Sequence, residues 1–113
     1  MAERFSFEVC GKKYENCFFV FTRYNDPDNL ALFIKNDDET VAIECSMNLN
    51  DKTSDDIIRI KDFRNAFFHF DMAEFLIQKG IIKRGAVTID IYTFETIKGY
   101  ELTEKGLEMF KGV

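Results

Sequence analysis

Hydrophobic residues recur at every second position through most of this chain, and one stretch carries a longer, helical pattern. From Arg4 to Cys10, Phe5, Phe7 and Val9 alternate with Ser6 and Glu8, the mark of a strand with one buried face. Asn16 to Tyr24 is rich in Phe and Val and predicts a second strand. A loop centred on Lys13 and Tyr14 would set Cys10 opposite Cys17. Phe5, Phe7, Val9, Phe18 and Val20 would then share the core face, with Phe19 and Phe21 outside. Pro27 fixes the turn Asn25–Asn29. Leu30–Lys35 and Thr40–Met47 form the next hairpin, closed by Asn36-Asp37-Asp38-Glu39. A polar connection leads to a short strand at Ile57–Lys61. Beyond Gly85, the β-branched residues of Ala86–Phe94 predict another strand, and Gly99–Leu102 a last one.

The helical stretch lies between Phe67 and Ile82 and carries its own start and stop. Asp71 and Glu74 have the spacing of a capping box, flanked by Phe70 and Phe75 as a hydrophobic staple. Gly80 supplies a left-handed stop, with Ile81 able to fold back on Leu76. Only Glu74, Gln78 and Lys79 are polar within it, so most of its circumference must be covered. A short C-terminal helix, capped by Thr103 and ending at Met109 and Phe110, is weakened by Gly106 and by Glu104 facing Glu108. The expected fold is α+β: an antiparallel sheet of five to six strands packed on one central α-helix, with a short helix at the end. The 113 residues fit a single domain, 1–113, without repeat or linker.

Composition sharpens this picture. With 46% apolar residues and 13 phenylalanines, the chain can build an aromatic core without disulfides. No apolar run approaches the ~20 residues of a membrane span, and MAERFSFEVC lacks signal-peptide character. Three cysteines, an odd number, also fit a reducing compartment, so the expected location is the cytoplasm. Fifteen basic against twenty acidic residues give a net charge of −5, the wrong sign for direct nucleic-acid binding. Such a protein can instead meet the basic surface of a nucleic-acid-binding protein.

Catalytic signatures are missing. The nucleophile elbow, zinc-protease helix, phosphate loop and dinucleotide fingerprint do not occur. Asp51 to Asp62 imitates a calcium loop, but Asp56 stands where the turn needs glycine. The expectation is a protein without enzymatic activity. Cys10, Cys17, Cys45 and His69 make up a Cys₃His set that would suit a structural zinc ion. The plainer reading treats each thiol as a small buried hydrophobe, which suits Cys45 beside Ile43 and Met47. Among the acids, Asp26, Asp28, Asp37, Asp38, Glu39, Asp55 and Asp56 fall in turns. They either keep the domain soluble or line one edge in imitation of a phosphate strand, with Phe19 and Phe21 as apolar anchors for a partner.

Tyr100-Glu101-Leu102-Thr103-Glu104-Lys105-Gly106 resembles the strand-into-helix phrase at the wing of winged-helix regulators. The three helices and basic recognition helix of that class are missing here. A broader likeness runs through Asn29-Leu30-Ala31-Leu32, Glu39-Thr40-Val41-Ala42, Ser46-Met47-Asn48-Leu49, Ile60-Lys61-Asp62 with Asn65, Glu74-Phe75-Leu76 and Gly80-Ile81-Ile82. This pattern resembles an uncharacterised family of small cytosolic proteins from phages, plasmids and conjugative elements of Gram-positive bacteria. The chain departs from it at Phe63 to Phe70 and in the C-terminal tail. The resemblance implies a mobile-element setting, where small acidic proteins often act against host defence, and the character is similar to that of anti-CRISPR proteins. The expected function is therefore inhibition of a defence nuclease, such as a CRISPR effector, by protein–protein contact. The alternative is an accessory, assembly or regulatory protein of the element, with homodimers formed through an exposed strand edge.

Overall fold

The computed structural model describes residues 3–9, 11–61, 70–92 and 95–113, with Tyr92 described by its backbone alone. Alternation becomes strand nearly everywhere it was expected: β1 (Phe5–Val9), β2 (Lys12–Arg23), β3 (Leu30–Lys35), β4 (Val41–Glu44) and β5 (Ile57–Ile60). The helix α1 (Met72–Gln78) follows, then β6 (Thr88–Tyr92), β7 (Glu95–Glu101) and α2 (Glu104–Phe110). The strands make two antiparallel sheets rather than one, in the orders β1-β2-β3-β4 and β5-β7-β6. A bridge between Ser46 and Ile60 joins them, flanked by Met47 N–H to the Arg59 carbonyl (3.1 Å) and Lys61 N–H to the Cys45 carbonyl (3.0 Å).

The helix is not central. At seven residues α1 is roughly 10 Å long, too short to cover a sheet. Its Phe75 meets Phe5, Phe7 and Phe19 of the first sheet, while Met72 and Ala73 lie beside Ile60 and Tyr100 of the second. The core accordingly runs through both sheets and α1, from Leu32 and Ile34 to Ile58, Met72, Leu76 and Leu102. The stop works as expected, and so does the Asp71 half of the capping box. The Asp71 carboxylate accepts the Glu74 N–H at 3.0 Å, and the Phe70 and Phe75 rings staple at 5.6 Å. Glu74 itself turns to Gln78 (3.2 Å) and Arg84 (3.0 Å). At the other end Gly80 takes φ +76, its N–H bonding Ile77 and that of Ile81 bonding Leu76, a complete Schellman motif.

The first hairpin differs from expectation. Val9 pairs with Lys12 and Gly11 takes φ +77, and the ladder sets Cys17 opposite Phe5. A bulge follows, marked by Asn16 at φ +56 and a register shift between Phe5 and Phe7. One extra residue inverts the alternation downstream. Cys17, Phe19 and Phe21 therefore turn to the core side with Phe5, whereas Phe18 carries the Arg4 guanidinium 4.3 Å above its ring.

The last helix docks onto the end of α1. Thr103 accepts the Gly106 N–H at 3.0 Å, donates its hydroxyl to the Gly80 carbonyl, and bonds Ile81 through its own N–H at 3.0 Å. Gly106 is what permits the approach, because a Cβ there would sit 2.2 Å from the Ile81 carbonyl oxygen. Phe110 then packs edge-on against Phe21, centroids 5.0 Å apart. Among the described residues no helix is long and apolar enough to cross a membrane.

Candidate functional site

Loop acids gather where two connections meet. Asn29, only 4% exposed, holds the segment after β4 to the loop before β3. Its Oδ1 accepts from Thr53 N–H (2.8 Å) and Thr53 hydroxyl (3.1 Å), and its Nδ2 donates to Asn48 Oδ1 and the Asp51 carbonyl, both at 2.9 Å. Arg23, at the end of β2, fastens the same place. It donates to the Asp28 carbonyl (2.9 Å), Asp55 Oδ1 (3.1 Å) and the Val113 carbonyl (3.0 Å). Lys52 bridges Asp55 (2.8 Å) and Asp28 (3.6 Å). Hydrogen bonds from Lys52 and Arg23 hold the Asp55 carboxyl below its ordinary range. Asp26, Asp28, Asp55 and Asp56 thus crown one end of the molecule, all exposed.

Asp37, Asp38 and Glu39 do not join them. They occupy the turn at the far end of β3, six residues and roughly 20 Å away. There Asp37 accepts from Asn16 (2.8 Å) and faces Arg4 (3.4 Å), and Asp38 is held ionised by hydrogen bonds from the Thr40 hydroxyl and N–H. The expected single acidic edge is therefore two separate poles.

Phe19 and Phe21 do lie near the first pole, on the inner side of β2. They floor a cleft of about 240 Å³ together with Ile81 and Met109, and Glu3, Lys79 and Lys105 stand at its rim. Lys79 stacks its ammonium 4.6 Å from the Phe5 ring centroid, and Lys105 donates to the Lys79 carbonyl at 2.9 Å. Beside the cleft, α2 and the residues after it expose Leu107, Met109 and Val113. Bound to Arg23, Val113 connects this apolar strip directly to the acidic loops.

Cys17 and Cys45 are both buried. Burial pushes both thiols up, Cys45 far above the ordinary range. Cys10 and His69 lie outside the described residues, and the hairpin pairing that was to bring Cys10 to Cys17 is replaced by Phe5 opposite Cys17. Among the described residues no three His, Cys, Asp or Glu side chains are grouped to hold a metal ion.

Two polar clusters went unforeseen. Tyr24 donates its hydroxyl to Glu44 at 2.5 Å and lies 2.9 Å from the Ser46 hydroxyl, while Lys61 reaches Glu44 at 2.9 Å. Burial and then the Glu44 hydrogen bond raise the Tyr24 phenol well above its usual value, keeping it a protonated donor. Burial opposes the charge on Glu44, but the bonds from Tyr24 and Lys61 outweigh it and lower that carboxyl. Ser46 spends its oxygen on the Leu32 N–H (2.9 Å) and is fully buried. This arrangement locks the junction of the sheets and offers no activated nucleophile. Arg59, 5% exposed, similarly clamps Asp51 at its carboxylate (2.8 Å) and carbonyl (3.1 Å), with Asp90 at 3.5 Å. It is the one polar side chain of β5.

Compared with protein families, curated proteins and solved structures, the chain matches none of them.

Proposed function

We propose that this is a non-enzymatic binding protein of a mobile element, whose acidic pole and adjoining apolar strip seat on the basic surface of a nucleic-acid-binding protein. The target class is an effector nuclease of host defence, a CRISPR effector foremost, blocked in nucleic-acid loading or in a required motion. One observation carries the reading: Arg23 ties the Asp28 loop, the Asp55 loop and Val113 into a single patch beside the Phe19–Phe21 cleft. Fixed loops lose little entropy on binding, and a patch with acids at one side and apolar anchors at the other combines steering with hold. Asp26, Asp28 and Asp56 serve as the phosphate-like charges, while Asp55, paired with Arg23 and Lys52, holds the loops that carry them. Leu107 and Met109 extend the anchors supplied by Phe19 and Phe21.

The experiment mixes the purified protein with a panel of CRISPR nucleases and measures target cleavage and DNA loading. Binding should weaken steeply between about 0.05 and about 0.5 M salt, as the Debye length shrinks. Each exposed pair contributes up to ~1 kcal/mol, so the triple change Asp26→Asn, Asp28→Asn, Asp56→Asn should weaken binding by about 10- to 100-fold. Unimpaired cleavage across the panel, or binding indifferent to salt and to these changes, would sink the proposal.

A further inference from the structure

From the open edge of the second sheet we infer that two copies of this chain pair through β6, antiparallel, about a two-fold axis at Ile89. The strand order β5-β7-β6 leaves β6 with one neighbour. Of the seven large hydrophobic side chains exposed among the described residues, three belong to this short stretch: Val87 (48%), Ile89 (66%) and Ile91 (82%). The other end of the strand path shows no such feature, because the apolar residues of β1 are engaged in the aromatic cluster around Phe75. Natural edge strands are usually guarded by an outward charge or a proline. Here the one charged residue, Asp90, is turned to Arg59 at 3.5 Å and guards nothing.

Register follows from hydrogen-bond phase. At the Ser46–Ile60 bridge, Met47 N–H bonds the Arg59 carbonyl and Lys61 N–H the Cys45 carbonyl, so Ile60 turns its own main-chain groups to Lys98 and, one strand on, Ile97 and Gly99 bond Asp90 and Thr88. The amides and carbonyls of Ile89 and Ile91 therefore point to the open side. An axis at Asp90 would place two carboxylates directly opposite each other in a close, non-bonded pair, which is unfavourable. With the axis at Ile89, the two Ile89 residues exchange both bonds and stack side by side. Asp90 then faces Thr88 of the second copy, and the bonded seam ends there, because the Val87 N–H is already given to the Gly99 carbonyl at 2.8 Å. This inference is independent of the partner surface, which uses other residues.

A five-residue seam covers less than the ~1,200 Å² of a lasting complex, so the dimer should be weak and concentration-dependent. Sedimentation equilibrium on the full chain, from about 5 to about 500 μM, tests it against the charge-swap pair Ile89→Lys and Ile89→Glu. Each variant alone should stay monomeric, because 89 meets 89, while an equimolar mixture should regain dimer. Circular dichroism checks that both remain folded, and Leu107→Lys on the other surface should leave the dimer intact. Wild-type protein that stays monomeric at the top concentration overturns the inference. A dimer that survives in either single variant, or a mixture that stays monomeric, does the same.

Discussion

Replacing Gly106 with alanine sets two effects of known size against each other. Alanine is the better helix former by at most ~1 kcal/mol, so an undocked α2 would gain stability. In the docked helix the new methyl would lie 2.2 Å from the Ile81 carbonyl oxygen and 3.2 Å from Leu102 Cδ2. The carbonyl cannot swing away cheaply, since it accepts the Thr103 N–H and follows the Gly80 turn that ends α1. Overpacking of this kind costs typically 1–3 kcal/mol, roughly, and should win. Net destabilisation of about 1–2 kcal/mol corresponds to a melting temperature lower by about 5–10 °C for a chain of this size. Gly99→Ala is the control. There the obstacle at 2.2 Å is the Thr88 hydroxyl, a side-chain group that can rotate, so the loss should be smaller. Thermal melts followed by circular dichroism compare the two. If Gly106→Ala raised the melting temperature, α2 would not be docked on Ile81 and the joint described above would be wrong.

Asp71→Ala removes the cap of α1 and should cost about 1 kcal/mol in urea unfolding, with Asp71→Ser recovering most of it. Asn29→Ala leaves the Thr53 N–H and the Asp51 carbonyl without their partner and should cost about 2–4 kcal/mol, with faster amide exchange at Thr53 as the local readout. The raised Tyr24 phenol keeps its contribution to stability below the ordinary tyrosine range and loses it as pH rises through the higher folded value; ultraviolet titration should show a late-ionising component that Tyr24→Phe removes. Glu44 has the opposite sign: its lowered carboxyl stabilises above the ordinary glutamate range and loses that as pH falls through the folded value, so Glu44→Gln should flatten the acid limb of a stability–pH curve.

Local signals in the sequence were readable where they act over a few residues. The cap at Asp71, the staple of Phe70 on Phe75, the stop at Gly80 and the bounds of β3 all depend on neighbours within one turn or one strand, and each appears where expected. The inversion of β2 did not show, because a bulge is set by how one strand lies on another. Asn16 at φ +56 is its only local trace, asparagine being among the few residues that tolerate that conformation. That one residue moved Phe19 and Phe21 from the surface to the floor of a cleft. The early start of β7 was hidden for another reason, since Glu95, Thr96 and Lys98 are polar and the strand is recruited by its pairing with β6. Gly106 looked like a weakness of the last helix when read along the chain. Its purpose is visible only from Ile81, across the turn.

The same long-range polar contacts decide which charges remain for a partner. Among the described residues the two sheets meet through the Ser46–Ile60 bridge, and such a seam needs reinforcement that a continuous ladder would not. Glu44 with Tyr24 and Lys61 supplies it on one side, and Asp51 with the buried Arg59 supplies it on the other. Asp55 is spent on Arg23 and Lys52, which fix the loops in place. A carboxylate committed in this way has its charge largely compensated, and its removal loosens the loop as well as lowering the field. Asp26 and Asp56 are the contrasting case: exposed, on loops held by others, they alter the electrostatic face with little structural consequence. If the acidic pole works by steering, neutralising this outer pair should slow association while leaving the melting temperature unchanged. Neutralising Asp51 or Asp55 should disturb both.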